Sequence, residues 1–456
     1  MTTLQQTDGT ATALATEVRA GRLSAEAAVT AALERIAERD GQLSAFQTVR
    51  REAALAEARA VDDRADLADL PLAGVPIAIK DNVNVAGEVM HTGSRALSPE
   101  PARSDHPVVA RLRAAGAVVV GTTRTPEACL WSATDEPDTI THNPWSGDIT
   151  CGGSSGGAAA AVAAGMVPIA HAADGLGSIR LPSSACGVFG IKPGRGVVPA
   201  LLGRNDWFGM SVNGPIATTV SDAALMLSVM AANPDLAQVR RPEQILRVAA
   251  SARPPLSGFA VAEPVVRAAF GVAALLRDAG HVIERATPAY PQRMALAGTI
   301  RWLAATADEA DEAVDQELLQ PRTRVHAALG RRVRGLVKPG AVDDFVSRSL
   351  EFFDQYDVLV TPTFADRPLP AVAWSEKSWS ANVVANLRVT GGFVSVWNLA
   401  GFPAVSVPFG TDPRTGGPIG VQLVAAPGNE ALLLGVASII EQRAPWPRTA
   451  PGYPPV

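Results

Sequence analysis

The chain has 456 residues, of which 47% are hydrophobic and 19% charged, and it carries a formal net charge of −5. That balance suits a large globular core and excludes a basic face for nucleic acid. The three cysteines, Cys129, Cys151 and Cys186, form neither a CxxC pair nor a metal-ligand spacing, so free thiols in a cytoplasmic chain are expected.

The first residues, Met-Thr-Thr-Leu-Gln-Gln-Thr-Asp, show no basic segment followed by an apolar run, and no secretory signal is expected. Residues 11–65 read as helices: apolar positions recur at three and four (Ala27, Val29, Ala32, Leu33, Ile36), and Ser24 stands where a helix starts. The run 72–80, Leu-Ala-Gly-Val-Pro-Ile-Ala-Ile-Lys, reads as a buried strand after a turn. A helix follows over 107–115 and a strand over 117–121. This alternation argues for α/β architecture with parallel elements.

Next come a Gly-Ser loop, Cys151-Gly-Gly-Ser-Ser-Gly-Gly157, an alanine-rich helix over 158–165 and a strand over 167–173. The small-apolar run 158–170 is too short to cross a bilayer and is broken by Gly165 and Pro168, so no membrane partner is expected. A second glycine loop, Asp174-Gly-Leu-Gly-Ser-Ile-Arg180, leads on to a helix after Asp222. Residues 234–345 are charged and rich in arginine with few strand signals, and read as a mostly helical, peripheral insert. Core character returns over 352–362, 398–408 and 419–423, and a last helix is expected over 430–441. No repeat or low-complexity linker divides the chain. The expectation is a single α/β domain over 1–456 with a central twisted mixed sheet flanked by helices. Its parts are N-terminal helices over 1–65, a core over 66–233 and 346–445, and the variable insert.

Three positions carry candidate chemistry. Ser178 sits in a run of small residues after a strand, where the backbone N–H groups of Gly175, Leu176, Gly177 and Ser178 could converge on a developing oxyanion. The plain alternative is a glycine turn. Ser154 satisfies G-x-S-x-G over 152–156, the pattern of a nucleophile elbow, although six consecutive Gly and Ser residues satisfy many patterns. Lys80 ends an apolar strand in a chain with only four lysines (Lys80, Lys192, Lys338, Lys377) among 40 basic residues. Burial there would lower its pKa and make a neutral amine available as a base, unless it merely pairs with Asp81. None of the six histidines stands in a motif with a nucleophile, and His171 reads as a packed core residue. Trp207, Phe208 and Trp397 are candidates for an acyl pocket, with core packing as the alternative.

Taken jointly, Lys80, Gly152-Gly-Ser-Ser-Gly-Gly157 and Asp174-Gly-Leu-Gly-Ser-Ile-Arg180 closely resemble the amidase signature family, with 74 residues from Lys80 to Ser154 and 24 more to Ser178. Leu72–Asp81, Asn143-Pro-Trp145, Cys186–Pro193, Gly214–Ala217, Asp357–Pro362 and Asn398–Gln422 are similar as well, and the resemblance covers most of the chain except roughly 234–345. The resemblance implies an amidase that cuts a carbon–nitrogen bond of a small-molecule amide through an acyl-enzyme. Ser178 takes the nucleophile's place and Ser154 that of a bridging serine reached through a cis peptide bond. Lys80 takes the place of the base, and Ser155, Asp174 and Arg180 take supporting positions. It implies no metal and no cofactor. A homodimer is one option for its assembly. The alternative reading is the glutaminase-type subunit of a tRNA-dependent amidotransferase complex. Leu176 departs from the glycine most common at its position and removes no N–H donor.

Overall fold

In the computed structural model, residues 9–454 are described; the first eight, read above for a secretory signal, lie outside them. Thirteen strands form: β1 (Phe46–Val49), β2 (Pro76–Lys80), β3 (Val118–Thr123), β4 (Asp135–Glu136), β5 (Thr139–Ile140), β6 (Ile169–Asp174), β7 (Phe189–Lys192), β8 (Val212–Ala217), β9 (Arg247–Ala250), β10 (Val282–Arg285), β11 (Val358–Pro362), β12 (Ala404–Thr411) and β13 (Pro418–Val424). Eleven of them build one sheet in the order β1-β3-β2-β6-β8-β7-β12-β13-β11-β9-β10, and β4 pairs with β5 in a small ribbon. β2 is parallel to both β3 and β6, and β9 is parallel to β10 and β11; the other pairings in the sheet are antiparallel. The result is a single α/β domain with a mixed sheet flanked by helices.

The helices begin where the sequence offers caps. Ser24 accepts from the Ala27 N–H at the start of Ala25–Leu43, and Pro107 opens Pro107–Ala114 behind His106. Between the first two helices and Arg51–Asp62 the chain forms β1, which the helical reading of 11–65 did not separate. Helix Gly156–Ala163 is buried along its whole length. Its small side chains let it lie close to the sheet: a Cβ at Gly157 would overlap the Ala45 carbonyl oxygen. A larger residue at 157 would push the helix, and the Gly-Ser loop before it, away from the chain at the ends of β1 and β3, where Ala45 and Arg124 stand.

The segment 234–345 departs from the expectation of a peripheral insert. Helices Glu263–Asp278, Gln292–Asp311 and Pro321–Val333 make it mostly helical, but β9 and β10 extend the main sheet, and Val248, Ala249 and Ala250 of β9 are buried. The signal was faint because β9 is four residues, Arg-Val-Ala-Ala. Alanine has little strand preference, and four residues are too few to reveal a period of two.

The topology positions the site. β2 and β6 are parallel neighbours, with Ile77 opposite Ile169 and Ala78 opposite Ala170. Their C-terminal ends, Lys80 and Asp174, therefore emerge at the same edge of the sheet, the side on which open α/β folds bind their ligands. The cysteines are all free thiols. No helix among the described residues is long and apolar enough to cross a membrane.

Candidate active site

Lys80 is 1% exposed at the end of β2. Its Nζ lies 2.7 Å from Ser154 Oγ and 3.4 Å from the Ala173 carbonyl oxygen. Burial pulls its pKa below the ordinary lysine value, against the opposing pull of Cys129 and Asp174. Asp81, the partner that the alternative reading required, turns elsewhere: its carboxylate accepts from the His91 backbone N–H at 3.2 Å and lies 3.5 Å from His91 Nδ1. His171 is a buried core residue. Its Nδ1 accepts from the Lys80 N–H at 3.3 Å, its Nε2 lies 3.0 Å from Asn213 Oδ1, and burial lowers its pKa to about 3. At that value it stays neutral and cannot act as a cationic acid near neutral pH.

The Gly-Ser loop is joined to Lys80 and to the second glycine loop. The peptide bond Gly153–Ser154 is cis. Ser155 Oγ donates to the Ala173 carbonyl at 3.1 Å, and the Ser155 N–H donates to the Ser178 carbonyl at 3.3 Å. Ser178 is half-buried and lines the same cavity as Lys80 and Ser154. Three positions separated by up to 98 residues of chain thus meet at one opening.

Asp174 and Arg180 hold the second loop from within. The Arg180 guanidinium donates to Asp174 Oδ2 at 2.9 Å and Oδ1 at 3.0 Å, a bidentate pair with both side chains 0% exposed. Asp174 also accepts the Gly177 and Ile179 N–H groups at 2.6 and 3.1 Å. Burial alone would raise the Asp174 pKa. Arg180, Lys192 and Asn398 outweigh it and hold the carboxyl well below the usual range. Two residues with no role assigned from the sequence complete the network: Asn398 Oδ1 and Gln422 Oε1 accept from Arg180 at 2.6 and 2.7 Å, and Asn398 Nδ2 donates to Asp174 Oδ1 at 2.8 Å. Both lie in the segment whose resemblance was noted as a block, and being more than 210 residues from Arg180 in sequence they gave no local signal.

The expected set of oxyanion donors is corrected by one. The Gly177 N–H is committed to Asp174, so among these four groups those of Gly175, Leu176 and Ser178 are the ones without an acceptor among the described residues. Gly177 instead supplies the backbone turn. Its φ is +121°, and a Cβ there would overlap Val394 Cγ2, so glycine is required.

The cavity wall is largely apolar. Leu130, Trp131, Leu176, Leu181, Trp207 and Trp302 line it, and Cys129, Ser132, Glu309 and Glu312 supply polar groups near them. Trp207 is in the cavity wall, as one of the two readings required, with Cε3 3.3 Å from where a Cβ on Gly175 would stand. Trp397 is fully buried in the core against Phe345, Phe353 and Phe402, and Phe208 packs partly buried against that same core; neither lines the cavity. Trp302, Glu309 and Glu312 come from the segment 234–345, so the insert reaches the cavity wall. Among the described residues no cluster of His, Cys, Asp and Glu is arranged to hold a metal ion.

A lysine, a serine beyond a cis bond and a second serine on a glycine loop thus share one cavity at the carboxyl edge of a mixed sheet. Residues 27–434 match the profile of the Amidase family. AmiB2 of Mycobacterium tuberculosis, named as an amidase, is 40% identical over 97% of this chain and 99% of its own. An acylamidase of Rhodococcus erythropolis is 33% identical over 96% and 95%. The structure of a 6-aminohexanoate cyclic dimer hydrolase complexed with substrate superposes with a TM-score of 0.88 at 28% identity, over 98% of this chain and 99% of that one. The chain belongs to the amidase signature family. It is a hydrolase that acts on carbon–nitrogen bonds.

Proposed function

We propose that the protein hydrolyses the amide bond of a small molecule in two steps, with Ser178 as nucleophile, Ser154 as proton bridge and Lys80 as base. The observation that carries this reading is the 2.7 Å approach of Lys80 Nζ to Ser154 Oγ inside the cavity that Ser178 also lines. As a neutral amine, Lys80 accepts the Ser154 hydroxyl proton while Ser154 accepts that of Ser178. Ser178 Oγ forms a bond to the amide carbon, and the carbonyl electron pair moves onto oxygen. The free N–H groups of the Gly175–Ser178 loop face the charge that develops there. Collapse of this adduct breaks the carbon–nitrogen bond, and the relay returns its proton to the departing amine. Water then repeats the sequence on the acyl-enzyme and releases the acid. Nucleophile, base and oxyanion donors are all on the chain, so the step calls for no cofactor.

Membership of a tRNA-dependent amidotransferase complex is the less favoured reading. A glutamyl-tRNA(Gln) amidotransferase chain from Thermotoga maritima superposes with a TM-score of 0.73, below the 0.88 of the cyclic dimer hydrolase. Partitioning of the acyl-enzyme tests the proposal. With an anilide substrate and added hydroxylamine, part of the acyl group should leave as hydroxamate while aniline release keeps its rate or speeds up. Aniline release without any hydroxamate, over the full range of hydroxylamine, would contradict an acyl-enzyme.

A further inference from the structure

Glu309 is a carboxylate with no counter-ion beside the nucleophile loop. It lies on helix Gln292–Asp311 seven residues after Trp302, two turns along the same face, and both side chains line the cavity. Trp207 Nε1 donates to Glu309 Oε1 at 3.1 Å, and the same indole packs over Gly175 at the start of the Ser178 loop. One aromatic ring therefore separates the carboxylate from that loop. The neighbouring backbone leaves room for it: Gly203 has φ +56°, and a Cβ there would overlap Glu309 Oε1.

Buried carboxylates elsewhere in this protein are paired with a guanidinium or, as at Glu127, Asp222 and Glu430, are held by hydroxyl and backbone N–H donors. Asp174 has Arg180 at 2.9 Å and Asp135 has Arg322 at 2.9 Å. Glu309 has no lysine, arginine or histidine within ion-pair distance among the described residues, and its neighbour Asp308 is taken by Arg334 at 3.1 Å. Apart from Lys80, no basic side chain lines the cavity, while Glu312 adds a second carboxylate. Burial pushes the Glu309 carboxyl up to about 7; the Trp207 hydrogen bond opposes the shift and the like charges of Glu312 and Asp308 add to it. Such a group lacks a cation, and the indoles of Trp207 and Trp302 form walls that attract one.

We infer that Glu309 selects substrates that carry a protonated primary amine at a distance from the scissile amide, the ammonium sitting between Glu309, Trp207 and Trp302. This rests on the amidase reading above and names the substrate class of that site. A bound ammonium would draw the carboxyl back into its ionised form and make a charge-assisted hydrogen bond to the oxygen that Trp207 leaves open. Glutamine at 309 would keep an acceptor for Trp207 and lose the charge.

Calorimetric titration of n-hexylamine and n-hexanol into wild type and Glu309→Gln at pH 8 tests the inference. The amine should bind wild type about tenfold or more tightly than the alcohol, and Glu309→Gln should lose that preference. Hexylamine should also slow fluorophosphonate labelling of Ser178 in wild type at concentrations where hexanol does not. Equal binding of the two ligands to wild type would overturn the inference without any variant, as would a preference that survives in Glu309→Gln. Absence of labelling at Ser178 would instead count against the catalytic assignment, leaving the ammonium site to be decided by calorimetry alone.

Discussion

Replacing Lys80 by arginine keeps the positive charge and removes the ability to lose it. Lys80 is 1% exposed, its Nζ lies 2.7 Å from Ser154 Oγ, and burial depresses its pKa. A guanidinium holds its proton at every working pH, so the relay through Ser154 would have no acceptor. General-base catalysis is worth about 10²–10⁴-fold, and kcat/KM of Lys80→Arg should fall by at least 10²-fold. Lys80→Met, close in volume and uncharged, should fall as far. It should also fold at least as stably as wild type near neutral pH, because a buried charge has been removed. The pH profile carries the sign. Activity needs the neutral amine, so kcat/KM of wild type should rise with pH on a single limb whose midpoint lies below the ordinary lysine value of about 10.4. The unfolded chain binds this proton more tightly than the folded one. Wild type should therefore gain stability relative to Lys80→Met as pH rises from the folded-state value towards that of the unfolded chain. The assay is kcat/KM against pH on an anilide, with thermal unfolding of each variant as control. If Lys80→Arg folds and keeps more than about a tenth of wild-type kcat/KM, Lys80 is not the base.

Asp174→Asn should cost about 3–5 kcal/mol in denaturant unfolding, since it leaves Arg180 buried without its anion. In wild type that pair contributes above the unfolded carboxyl value of about 3.9 and is lost as pH falls towards the depressed folded-state value, so the variant should show a weaker acid dependence between pH 5 and 2. Iodoacetamide should alkylate Cys129, which lines the cavity, ahead of the buried Cys151 and Cys186, and should block turnover. Peptide mapping and the resistance of Cys129→Ala check this, and inhibition of that variant at the wild-type rate would refute it.

The readable parts of the sequence were those in which chemistry and local geometry coincide. Lys80 stood out because an isolated lysine ended an apolar strand in an arginine-rich chain, and the two glycine loops because runs of small residues follow or precede regular elements. The helix start at Ser24 was legible for the same local reason. What escaped depends on long-range approach. Asn398 and Gln422 join Arg180 only because the β7–β12–β13 pairing carries them there. The Gly177 N–H is withdrawn from the expected oxyanion set by a carboxylate three residues away whose orientation Arg180 fixes. β9 is too short and too rich in alanine to show a period, and Glu309 reaches the cavity from a helix whose charged sequence reads as solvent-facing.

The identity of the nucleophile is tested most directly by covalent labelling. Wild type treated with a fluorophosphonate, digested and mapped by mass spectrometry, should carry the adduct on Ser178, and Ser178→Ala should remain unlabelled. An adduct on Ser154 that persists in Ser178→Ala would contradict the assignment and make the Gly-Ser loop the nucleophile elbow instead.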